Sequence, residues 1–98
     1  MRTIATSSEP LVRALGVVAR VLATVGEDRI ETVTLNRGRI SLHPHDLSEG
    51  EQIARTLGCT LPMDHRTLVP GTTDWSGDIE GHEVHIRAQL RSLTGEPA

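Results

Sequence analysis

Apolar residues recur along the first quarter of the chain at Leu11, Leu15, Val18, Leu22 and Val25, alternating steps of four and three, and stop at Gly26. That period is a helix's. Ser7, Ser8, Glu9 and Pro10 supply a start signal, with hydroxyl caps, an acid near the positive end of the dipole and a proline whose missing N–H costs nothing in a first turn. The next apolar pattern is different. Ile30 to Leu35 is β-branched and half-alternating, Asn36-Arg37-Gly38 offers a tight turn, and Arg39 to His43 resumes with Ile40 and Leu42 on one face, which predicts a β-hairpin ended by Pro44.

A second helix follows, capped by Asp46 or by Ser48, the latter with Glu51 at capping-box spacing; its apolar face is Leu47, Ile53, Ala54 and Leu57, and Gly58 stops it. Cys59 to Asp74 carries Pro62, Pro70 and Gly71 and no sustained period, so it reads as a connection with at most a short strand near Thr60. Thr73 to Glu80 and His82 to Leu90 then flank Glu80-Gly81 as a second hairpin, with Val84, Ile86, Ala88 and Leu90 alternating against His85, Arg87 and Gln89. The order α-β-β-α-β-β predicts an α+β fold in which a four-stranded antiparallel sheet carries two helices on one face. A single domain over 1–98 is expected, frayed at 1–7 and 92–98.

Helix 1 has more apolar surface than a sheet can cover. Only Arg13, Gly16, Arg20 and Thr24 form its polar stripe, while Val12, Val17, Val21 and several alanines widen the apolar sector. Either helix 2 and the 59–74 segment cover the surplus, or a partner does, most simply a second copy of the chain. Val12, Val17 and Val21 are therefore interface candidates. Trp75 is another, since the only large aromatic is either the plug of an aromatic-poor core or an exposed anchor.

Composition alters this picture little. All ten basic residues are Arg, Phe and Tyr are absent and Asn occurs once, a bias that matches GC-rich codons and a bacterial or phage source. The formal charge of −3, about +2 with all five histidines protonated, argues against broad binding to a phosphate backbone. A local patch of Arg37 and Arg39 at the first hairpin, aided by Arg55 on helix 2, is the alternative reading, a small nucleic-acid-binding regulator. One cysteine, no signal-like run and no stretch of membrane-span length lead to a cytoplasmic expectation without membrane partners.

Catalytic and metal chemistry find no motif. Gly26, Gly38, Gly58 and Gly81 sit at turns or helix stops and form neither a Walker sequence nor a dinucleotide fingerprint. Cys59 reads as a small buried residue, and no nucleophile signature surrounds it or any serine. A metal or enzyme site on His43, His45, His65 and Cys59 ranks last, His82 and His85 pointing to opposite strand faces. No cofactor is implied.

The segment from Trp75 to Arg87, WSGDIEGHEVHIR, resembles the W-x-G-x-x-x-G-x-x-V-x-V endings of small uncharacterised α+β proteins of actinobacterial phages and mobile elements. That resemblance covers the final quarter of the chain and implies an accessory or regulatory protein; it transfers no functional residue. The leading expectation is accordingly a non-enzymatic interaction domain that self-associates through helix 1.

Overall fold

The computed structural model of the chain describes residues 2–91, with side chains from Leu11 onward; the tail expected to fray at 92–98 lies outside the described residues, as do the side chains of 1–7. The elements run α1 (Arg2–Val25), β1 (Ile30–Asn36), β2 (Arg39–Pro44), α2 (Gly50–Leu57), β3 (Leu61–His65), β4 (Thr72–Ile79) and β5 (His82–Gln89). α1 begins before the capping signal at Ser7 to Pro10, so Pro10 lies inside the helix, which forgoes the one hydrogen bond its nitrogen cannot donate. Asp46 caps a short 3-10 turn, Leu47–Glu49, by accepting from the Ser48 N–H at 2.9 Å; α2 itself follows from Glu49 with no side-chain cap, so neither Asp46 nor Ser48 caps it, and Gly58 ends α2 in the left-handed region at φ 79°.

The sheet differs from the expectation in two respects. It has five strands in the order β1-β2-β5-β4-β3, and it is mixed, because β5 pairs with β2 in parallel while the other pairs are antiparallel. The extra strand is β3, whose pattern Pro62 had obscured; proline is tolerated there because β3 is an edge. The parallel pair follows from α2. A helix after β2 carries the chain to the far edge, β3 and β4 return toward the centre, and β5 closes the gap beside β2.

Residues paired across strands share a face, and here the two faces are unlike. Ile40, Leu42, Val84, Ile86, Ala88 and Trp75 point to the helix side and are buried with Ile53 and Ala54 of α2 and with Ala14, Val17, Val21 and Val25 of α1. Burial of each large aliphatic side chain in this layer contributes about 1.5–3 kcal/mol. Both helices cover this one face, as expected. The opposite face carries Arg39, Ser41 and His43 of β2, Asp74 and Ser76 of β4, and Glu83, His85 and Arg87 of β5, with no helix over it among the described residues.

Candidate functional site

That uncovered face holds a hollow of about 220 Å³. Its floor is Ser41, Asp74 and His85 from three adjacent strands, and its walls are Arg39, His43, His65 and Arg87. The alternation of β2, β4 and β5 puts these polar side chains outward because the residues between them are the core: Ile40 and Leu42, Trp75, Val84 and Ile86.

His85 organises the charges. Its Nδ1 lies 2.5 Å from Asp74 Oδ2, and its Nε2 meets Glu83 Oε2. The hydrogen bond and charge of His85 hold the Glu83 carboxyl below the usual carboxylate range. The Arg39 guanidinium lies 3.5 Å from His85 Nδ1, a longer contact than that of Asp74, and lines the hollow beside it. Arg87 sits opposite Asp74 in register yet has no hydrogen-bond or ion-pair partner among the described residues, and the same holds for the side chains of Ser41, His43 and His65.

Ser41, His85 and Asp74 stand in the order of a nucleophile, a base and its orienting acid. The ring nitrogen that would have to face Ser41 faces Glu83 instead, so the hydroxyl has no base.

The residues singled out from sequence are dispersed. Arg37 lies at the β1–β2 turn and Arg39 faces the hollow, but Arg55 is on the helix side, ion-paired to Glu51 at 2.7 Å and with its guanidinium carbon 5.7 Å from the centroid of the Trp75 ring. The three arginines therefore do not form one patch. Cys59 is buried behind the sheet beside Gly77, and His45 lies outside the hollow, 3.8 Å from Glu31, so the set His43, His45, His65 and Cys59 does not converge. Among the described residues no group of metal-ligating side chains is placed to hold an ion.

Of the helix 1 candidates, Val17 and Val21 are 2% and 3% exposed and belong to the core, as does Trp75; they are unavailable to a partner because α1 packs that stripe on the sheet. Val12 remains on the surface at 62%, with Leu15 at 57% and Leu11 at 37%. The sequence reading missed Ser41, Asp74, His85 and Arg87. Their outward alternation was visible, but their meeting depends on β2 lying beside β5, which no local pattern encodes.

No described helix is long and apolar enough to cross a membrane. No family model, no curated protein and no solved structure matches the chain.

Proposed function

We propose that this chain is a non-enzymatic interaction domain that pairs with a second copy of itself through the outward strip of α1. The observation that carries the reading is the exposure of Leu11, Val12 and Leu15 on a helix whose Ala14, Val17, Val21 and Val25 already fill the core. At 100° per residue, Leu11, Val12, Leu15, Ala19 and Ala23 share one sector turned away from that core stripe, and Arg13 and Arg20 fall beyond its edge.

A second copy suits this strip better than an unrelated partner because it is large at one end and small at the other. Two helices related by a twofold axis set Leu11 and Val12 of one against Ala19 and Ala23 of its mate, and small residues let the axes approach closely. The accessory character implied by the resemblance, and a cytoplasmic location, fit the same proposal.

The test is solution mass by light scattering across a concentration series, with Val12→Asp and Leu15→Asp beside the parent chain. A dimer that both substitutions dissociate into monomers that still unfold cooperatively supports the reading. A parent chain that stays monomeric at high concentration, or a dimer indifferent to both substitutions, overturns it.

A further inference from the structure

We propose that the hollow on the open face of the sheet binds a phosphate monoester dianion, gripped between Arg39 and Arg87 and hydrogen-bonded by Ser41, His43 and His65. This site is separate from the α1 strip and does not depend on self-association. The inference begins from side chains that converge. Four polar side chains, Ser41, His43, His65 and Arg87, converge on one hollow and have no partner among the described residues, although His43 and His65 are half-buried. Their donors are not engaged elsewhere in the described residues, so all four are available to one ligand seated in the hollow.

The charge sign follows from the lining. The two carboxylates that could repel an anion, Asp74 and Glu83, are both turned onto the His85 ring. Of the formally charged residues that line the hollow, the guanidinia of Arg39 and Arg87 outnumber the single carboxylate of Asp74. Arginine forks present paired N–H donors that match phosphate oxygens, and Arg39 and Arg87 come from adjacent strands, so they reach a tetrahedral group from two sides. A carboxylate would be satisfied by one fork and would leave the other donors idle. The three further donors suit an anion with three terminal oxygens.

Size and surroundings narrow the class. A volume of about 220 Å³ lies below the roughly 300–1,000 Å³ of pockets that enclose whole drug-sized ligands, so the hollow suits a phosphate group with the rest of its bearer outside. An extended nucleic acid is disfavoured, because no Trp, Phe or Tyr faces this side as a stacking platform and Glu83 and Asp78 stand along the same face.

The experiment is an amide chemical-shift titration of the full chain at constant ionic strength with inorganic phosphate, O-phosphoserine, acetate and a short single-stranded oligonucleotide, repeated for Arg87→Gln, Arg39→Gln and Arg87→Lys. Saturable shifts confined to the neighbourhood of residues 39–43, 65 and 85–87 are expected with both phosphates and not with acetate. Arg87→Gln and Arg39→Gln should each weaken phosphate binding about tenfold at an unchanged melting temperature, and Arg87→Lys should restore part of the loss. Tighter binding of O-phosphoserine assigns the phosphate to a modified residue or metabolite, and tighter inorganic phosphate to the free ion; either supports the site. Shifts equal to those of acetate, affinity indifferent to both glutamine variants, or binding of the oligonucleotide alone would overturn it.

Discussion

Gly50 at the start of α2 lies so close to Ala88 of β5 that a β-carbon on it would stand 2.6 Å from the Ala88 Cα and 2.5 Å from the Arg87 carbonyl oxygen. The obstacle is backbone and cannot rotate away. Absence of a side chain is what lets α2 sit on the strand that carries His85 and Arg87.

The consequence is a pair of identical substitutions with opposite signs. Gly50→Ala should destabilise the chain by about 1–3 kcal/mol, the range of an overpacked core, and shift the amide signals of β5. Gly16→Ala meets only the end of the Arg20 side chain, at 3.7 Å, and should stabilise α1 by roughly 0.5–1 kcal/mol through helix propensity. Denaturant melts of both variants check the contrast, and a loss at Gly16 equal to that at Gly50 would contradict it.

Trp75 offers a second contrast. Its ring is 5% exposed, lies beneath the Arg55 guanidinium, and its Nε1–H has no acceptor among the described residues. Trp75→Ala should cost about 3–5 kcal/mol, a large share of the stability of a domain this size. Trp75→Phe should cost only a fraction of that, because it keeps an aromatic ring under Arg55 and removes a buried donor that carries an unrecovered desolvation penalty. Arg55→Gln should remove about 0.5–1 kcal/mol of cation–π attraction. Urea titrations of the three variants give the order.

How far the fold could be read from sequence depended on the range of the signal. Period-2 and period-3.6 patterns, with glycines at Gly26, Gly38, Gly58 and Gly81, marked both helices and four of the strands, and all four glycines do have positive φ, although Gly26 at ψ 114° is not the αL stop expected there. Strand order was another matter. The helix between β2 and β3 signals a crossover and hence strands running the same way, but treating every connection as a hairpin gave an antiparallel sheet. The surplus apolar surface of α1 was legible as a quantity. Its location was not, because Val17 and Val12 look alike in sequence and only docking on the sheet decides that one is core and the other surface. The hollow was illegible for the same reason, as Asp74 and His85 are joined by β4–β5 pairing and Ser41 by the parallel contact.

Acid should weaken the fold in a defined window. Asp64 accepts from Arg91 Nε at 3.1 Å and from the Thr73 hydroxyl at 2.8 Å, and these bonds hold its carboxyl below the usual carboxylate range. A depressed folded value means that the stabilisation is present above the unfolded carboxyl pKa of about 3.9 and is lost as pH falls through the folded value. Glu80 and Glu83 shift in the same direction, the first through Arg20 and the second through His85. Asp64→Asn should lower the melting temperature at neutral pH, and the gap to the parent chain should close below about pH 4. Thermal melts between neutral pH and pH 3 read this directly, and a gap that stayed constant across the series would mean that the Asp64 charge contributes nothing.

Cys59 reports on opening rather than on chemistry. It is fully buried just after α2, its amide bonded to the Ala54 carbonyl at 2.8 Å, and burial pushes its thiol up to about 11. The thiolate is the reacting species, so both its scarcity and its enclosure suppress alkylation at neutral pH. Labelling with an iodoacetamide should therefore be negligible in the folded chain and become stoichiometric in denaturant, at a rate that follows exposure of the core. Gly77 makes this enclosure tight, since a β-carbon there would approach the Cys59 Cα to 2.9 Å. Gly77→Ala should accordingly accelerate labelling under native conditions, whereas Val12→Asp, on the surface of α1, should leave it unchanged. Rapid native labelling of the parent chain would show instead that the α2–β3 junction opens independently of the rest of the fold.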